Sequence, residues 1–314
     1  MSPEIDVLVL GGAGVDTIVY VPQLPLPLAD SHLVPAITTR AGQTGDFVAL
    51  GTHALGLRTH HLDLIGADHE GDLVRAFHRD RGIALTEAVS ASGTKRAVNL
   101  VDPDGRRLSL YDAARSQETD RLPPHELDAL AAVSRHVHVS ITQPCALALP
   151  VLRRAGVSIS TDLHDWDGVA PYHEAFAHAA DVVFLSATAL ADPHRTMRQI
   201  AERGRARAVV ATAGADGAYL LVDGAVTHVP AAEPPGPVVD SNGAGDAFAA
   251  AYLYGLLSGR SPWQSCRYGA VAGAYACTVP ATVTRAITRA ELLAHPAART
   301  PDPSVPAAVP ADRP

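Results

Sequence analysis

Short apolar runs alternate with segments of helical period along this chain. Val7 to Leu10 is apolar throughout and runs into Gly11-Gly12-Ala13-Gly14, which reads as a buried strand with a tight exit. Ile18-Val19-Tyr20-Val21 continues with β-type residues, and Pro22, Pro25 and Pro27 exclude a helix there. A dinucleotide-binding start is therefore not expected, since no G-x-G-x-x-G leads into a helix. Residues 17–40 read as an extended segment leaving the core, with Leu33 to Thr39 as its return strand. A helix follows from Phe47 to Leu55, stopped by Gly56. Further strands are expected at His61 to Gly66, His136 to Ile141, Val157 to Asp162, Asp181 to Leu185 and Ala208 to Thr212. Helices are expected at Asp72 to Arg81, Pro123 to Val133 and Leu147 to Ala155. Thr94 to Val101 and Arg106 to Tyr111 flank Asp102-Pro103-Asp104-Gly105 and predict a hairpin, as does Tyr219 to Val229. Alternation of strands and helices from residue 57 onward predicts an α/β fold with a mostly parallel sheet covered on both faces.

The chemistry concentrates at Asp240-Ser241-Asn242-Gly243-Ala244-Gly245-Asp246-Ala247-Phe248, ahead of an apolar helix from Ala247 to Leu257. Small residues before a helix leave backbone N–H groups bare, and the positive end of the macrodipole favours an anion there. Asp246 is then placed to take a proton from a hydroxyl that attacks a phosphoryl group. A plain N-cap is the competing reading, but it requires neither the second carboxylate nor Gly-x-Gly.

This stretch resembles the C-terminal signature of the ribokinase-like (PfkB) kinases, D-[ST]-x-G-A-G-D-x-F. The resemblance implies a three-layer α/β/α sandwich with a mostly parallel central sheet and a small β lid. It makes Asp246 the catalytic base and the Gly243, Ala244 and Gly245 amides the anion hole. It places Asp240 near phosphates and metal, and Asn242 at the nucleotide. Upstream, Asp16 matches the family's sugar-binding Asp. Ala41-Gly42-Gln43-Thr44-Gly45-Asp46 matches G-G-x-x-x-N, with Ala for the first Gly and Asp for the Asn. Asp16, Gly42 and Asp46 are thus the expected acceptor-binding residues. Thr212, Gly214 and Gly217 match T-x-G-x-x-G and are expected at the nucleotide. Ser186 and Ala189 stand where N-x-x-E is usual, so a carboxylate that helps organise Mg²⁺ is missing, and His164 replaces the Asn of D-x-N. The lid is expected from residues 17–40 and 94–112, the kinase domain over 1–295, and a disordered Pro/Ala-rich tail over 296–314.

Composition narrows the partners. A net charge of −8 argues against general nucleic-acid binding. Cys145, Cys266 and Cys277 show no metal spacing and suit a reducing compartment. The fifteen histidines show no ligand-like pattern. No apolar run is long enough for a membrane span, and a cytoplasmic location is expected. The expectation is an ATP-dependent, Mg²⁺-requiring kinase for a primary hydroxyl of a sugar or sugar-like alcohol, with a homodimer through the lid. Two alternatives stand beside it: a nucleoside kinase of the same family and a nucleotide-binding relative without catalysis. A sugar phosphate is also an open acceptor, with Arg40, Arg96 or Arg115 for its phosphate. Few aromatics, Tyr20 and Tyr111, are available in the lid to stack on a base.

Overall fold

In the computed structural model, which describes residues 3–280 and 283–303, Val7, Leu8, Val9 and Leu10 are all sealed from solvent. They form most of β1 (Ile5–Leu10), and their side chains alternate between two cores. Leu8 and Leu10 pack with one helical layer, and Val7 and Val9 with the other. A strand apolar on both faces belongs inside a covered parallel sheet.

The chain continues through β2 (Val15–Tyr20), β3 (Ile37–Ala41), α1 (Thr44–Ala54), β4 (Thr59–Gly66), α2 (His69–Arg81), β5 (Ala84–Ser90), β6 (Arg96–Val101) and β7 (Arg107–Tyr111). It then runs through α3 (Pro124–Ala132), β8 (Ser134–Val139), α4 (Gln143–Ala155), β9 (Ser158–Asp162), α5 (Pro171–Ala179), β10 (Val182–Ser186) and α6 (Pro193–Arg203). The last elements are β11 (Ala208–Thr212), β12 (Ala218–Val222), β13 (Ala225–Val229), α7 (Ala244–Leu257), α8 (Pro262–Ala276) and α9 (Arg289–Ala294). The main sheet has the order β13-β12-β11-β10-β9-β8-β1-β4-β5 among the described residues. It is parallel from β5 to β11 and antiparallel at β12 and β13. Side chains of α3 to α6 cover one face, and those of α1, α2, α7 and α8 the other.

A second sheet, β3-β2-β6-β7, forms the expected lid. Its register sorts side chains by face. Asp16 lies opposite Arg40 and Ala97, and Asn99 opposite Ser109. Val19 lies opposite Ile37 and Leu100, with Leu108 and Leu110 on that same outer face.

Several expected boundaries moved, each for a local reason. Helix α1 starts at Thr44, not Phe47, because Gln43 and Asp46 form a reciprocal capping box. Helix α7 starts at Ala244, three residues early, because Gly243 caps it with φ +74°, which glycine adopts without strain. The return strand is Ile37–Ala41; Leu33 is fully exposed in the loop before it. Strand β5 and helices α5 and α6 were not evident in the sequence. Beyond residue 295, Pro296–Arg299 forms a 3₁₀ turn that buries Ala298 against α8, so the ordered body extends past the expected boundary. Residues 304–314 of the expected tail lie outside the described residues.

Candidate active site

The signature turn is folded by its own first carboxylate. Asp240 is 1% exposed, and its Oδ1 accepts from both the backbone and the side-chain amide of Asn242, each at 2.7 Å. Its Oδ2 accepts from the Tyr20 hydroxyl of the lid at 3.1 Å. With both oxygens engaged, Asp240 shapes the turn. The Ala244 amide bends back to the Ser241 carbonyl at 3.2 Å. The amides of Gly245 and Asp246 have no backbone acceptor among the described residues. The first turn of α7 thus offers donors from Gly245 and Asp246, while the Ala244 amide is already used.

Asp246 is buried at this helix start and accepts no hydrogen bond among the described residues. Burial raises its pKa to about 7; the Asp162 and Asp16 carboxylates push the same way, and His164 and Arg107 oppose them. A carboxylate so tuned is ionised near neutrality yet retains affinity for a proton.

The lid brings its inner face to this point. Asp16 is 9% exposed, and burial raises its pKa, opposed by Arg40 and by a hydrogen bond from Gln43. Gln43 Nε2 donates to Asp16 Oδ1 at 3.3 Å. Arg40 stacks over Phe47 at 4.5 Å and donates to the Gly42 carbonyl at 3.1 Å. Arg107 donates to Asn242 Oδ1 at 2.8 Å, joining lid strand β7 to the signature turn. Asp16, Gly42, Gly243 and Asp246 are thus neighbours: the Asp16 charge reaches Asp246, and Gly42 and Gly243 both approach the Phe47 ring.

Asp46 is not among them as a contact. Its carboxylate is fully buried, and Oδ2 accepts from the backbone amides of Gly14 at 3.0 Å and Gln43 at 3.1 Å. Its side chain pins the loop that carries the acceptor-side residues and is shielded from any acceptor. The close packing explains Gly45, where a Cβ would collide with the Gly11 carbonyl.

The strand ends beyond carry the remaining expected residues. Asp162 ends β9, Ser186 ends β10 and Thr212 ends β11, with Ser186 and Thr212 in register. Thr212 leads into the Gly214–Asp216 turn, where Gly214 and Gly217 both hold positive φ. Ligands of open α/β sheets bind at this carboxyl edge. No carboxylate stands between residues 186 and 189, where Ser186 Oγ pairs with Thr188 Oγ1 at 2.7 Å. Asp162 is the acidic side chain that faces the α7 start: a Cβ on Gly245 would lie 3.8 Å from its Oδ2. His164 beside it adopts φ 52° and donates its N–H to Asp162 Oδ1 at 2.8 Å. Left-handed backbone at a residue other than glycine is strained and clusters at functional sites.

Sequence reasoning missed Arg107, Gln43 and Asn99. Period-2 alternation in the hairpin would have put Arg107 and Asn99 on the Asp16 face once the register was known. Gln43 carried no signal of its own, being an unmarked position inside the glycine motif.

The pfkB carbohydrate kinase family matches this chain over residues 4–289. An acarbose 7(IV)-phosphotransferase from an Actinoplanes species is 59% identical over 296 residues, covering 93% of this chain and 99% of that protein. The solved structure of a microbiome-derived acarbose kinase superposes with TM-score 0.85 at 46% identity, covering 92% of this chain and 97% of that one. Arabidopsis thaliana ribokinase, solved with ribose and ATP, superposes with TM-score 0.76 at 20% identity, over 96% of this chain and 100% of its own. The expected fold is thereby found, and this chain belongs to the pfkB family of carbohydrate kinases.

Proposed function

We propose that this kinase transfers the γ-phosphoryl of ATP to a hydroxyl of acarbose or a close structural analogue. The acceptor rests on the 59% identity, nearly end to end, to an acarbose phosphotransferase. The chemistry rests on one observation: a buried carboxylate, Asp246, at a helix start where the amides of Gly245 and Asp246 have no backbone acceptor among the described residues. Asp246 takes the proton of the attacking hydroxyl, a contribution of ~10²–10⁴-fold. The amides of Gly243, Gly245 and Asp246, none of which has a backbone acceptor among the described residues, hold charge on the phosphoryl oxygens, where loss of one donor costs on the order of 3 kcal/mol. Asp16 and Gly42 hold the acceptor, and Thr212, Gly214, Gly217 and Asn242 line the nucleotide. Mg²⁺ would neutralise phosphate charge, held chiefly by ATP oxygens and water, with Asp240 and Asp162 as candidate protein carboxylates. Closing the lid over the acceptor keeps water from competing as acceptor.

The outer face of the lid supports pairing of two copies. Ile37, Leu108 and Leu110 share that face and are 65%, 48% and 54% exposed. Light scattering on the Leu110→Glu variant should read half the mass of the wild type; a monomeric wild type at micromolar concentration refutes the dimer.

ADP release with acarbose, ribose, fructose and adenosine as acceptors tests the function. Acarbose should give the highest kcat/KM. Turnover confined to ribose or adenosine would overturn the assignment of the acceptor.

A further inference from the structure

Behind the acceptor loop, three side chains from three elements converge with no solvent among them. Asp46 of α1 and His61 of β4 are 0% exposed, and His78 of α2 is 1% exposed. Each histidine is anchored on its far side. His61 Nε2 lies 2.9 Å from the Gly11 carbonyl, and His78 Nδ1 lies 3.0 Å from the Val74 carbonyl. A carbonyl only accepts, so both of those nitrogens carry the hydrogen. The inward nitrogens, His61 Nδ1 and His78 Nε2, are then lone-pair donors in the neutral rings. They face each other at 2.9 Å. Asp46 Oδ1 completes the triangle at 3.6 Å from each nitrogen and has no hydrogen-bond partner. Three lone pairs aimed at one buried point repel unless something positive lies between them.

The spacing identifies what fits. A point equidistant from the three atoms lies about 2 Å from each, the length of a zinc–nitrogen or zinc–carboxylate bond. Two imidazoles and one carboxylate suit Zn²⁺ and its transition-metal neighbours, while Mg²⁺ prefers an all-oxygen shell. The carbonyl on the far nitrogen of each ring is the usual outer support of a metal-bound histidine, since it fixes the tautomer.

We infer that Asp46 Oδ1, His61 Nδ1 and His78 Nε2 form a buried structural site for a zinc-class divalent ion, distinct from any Mg²⁺ that accompanies ATP. The other oxygen of Asp46 holds the amides of Gly14 and Gln43. The ion would therefore brace the loop from which Gln43 reaches Asp16. Binding forms no covalent product and releases no proton from the neutral rings once Asp46 is ionised.

The test is metal content of the full chain expressed with zinc and dialysed against EDTA while folded. Elemental analysis should find about one zinc per chain, because a closed site releases its ion only on unfolding. Chain unfolded in guanidinium with EDTA and refolded without metal should melt lower than chain refolded with Zn²⁺. Refolding with Co²⁺ should give the visible absorption of a low-coordinate nitrogen–oxygen site. His78→Gln should abolish both the retained zinc and the Co²⁺ spectrum; should that variant fail to fold, the wild-type stoichiometry and refolding still decide. Wild type with less than about a tenth of an ion per chain, and a melting temperature indifferent to Zn²⁺ and Co²⁺ on refolding, would overturn the site. The three groups would then share a proton instead. None of these readouts depends on kinase activity.

Discussion

Asp246 is largely buried and accepts no hydrogen bond among the described residues, and this has two measurable consequences. The first is in the rate. A base with a pKa raised to about 7 is inactive when protonated. The kcat/KM for the acceptor should therefore rise with pH through about 7 and level off above it. A profile flat from pH 5 to 9 would contradict that role. The second is in stability. The folded-state pKa of Asp246 lies above the value of about 3.9 expected in the unfolded chain, so the folded state binds the proton more tightly. The stabilisation this gives is complete below the unfolded value and is lost as pH rises through 7. Asp246→Asn removes the ionisation penalty and should melt higher than wild type at pH 8, with the gap closing toward pH 4. Equal melting temperatures at pH 8 would mean that the carboxylate is better solvated than its burial indicates. Asp16 differs, since its task is binding. Loss of hydrogen bonds to a charged group costs about 1.5–3 kcal/mol. Asp16→Ala should therefore raise the KM of the acceptor roughly ten- to hundredfold while leaving that of ATP near its original value. An equal rise in both would point to a folding defect.

At the scale of elements, the lid is a two-faced sheet. Its inner face carries Asp16, Arg40, Asn99 and Arg107, and its outer face Val19, Ile37, Leu108 and Leu110. The bond from Arg107 to Asn242 is a direct link between this sheet and the turn that would hold the phosphoryl group. Arg107→Ala should loosen closure, raising ATP hydrolysis without acceptor relative to transfer. An unchanged ratio would show that other contacts close the lid. The elements were readable in the sequence to different degrees. Strand β1 was plain because it is apolar on both faces, and β11 was found to the residue. The hairpin of β6 and β7 was marked by Asp104-Gly105. Strand β5, by contrast, has the sequence Ala-Leu-Thr-Glu-Ala-Val-Ser at the sheet edge, half-buried along most of its length, so neither alternation nor a continuous apolar run announces it. Helices α5 and α6 begin after Ala170 and Asp192 with proline at the first turn, a start signal obscured by the polar, histidine-containing stretches that follow. The site was legible where a residue type is forced by chemistry, as at Asp246, by backbone conformation, as at Gly243, or by space, as at Gly45. It was not legible at Asp46, where motif position indicated the acceptor. Only the fold shows the side chain turned away, toward His61 and His78.

At the scale of the whole molecule, a sheet with its carboxyl edge open, a lid over one end and a helix start between them bring three acidic side chains together. Asp16 comes from the lid, Asp162 from the sheet and Asp246 from the helix, and the first two raise the cost of ionising the third. Arg40, Arg107 and His164 moderate that cost without removing it. In the proposed reaction the anionic nucleotide therefore enters this acidic surrounding together with a metal ion. The absence of a carboxylate at Ser186 to Ala189 leaves Asp162 to face that charge. The proposed reaction therefore turns on a single proton transfer, from the acceptor hydroxyl to Asp246, and the direct measurement is turnover of Asp246→Asn with acarbose and ATP at pH 8. ATP affinity should be retained while kcat falls by about 10²–10⁴-fold. A variant turning over within a few-fold of wild type would contradict the assignment of Asp246 as the base.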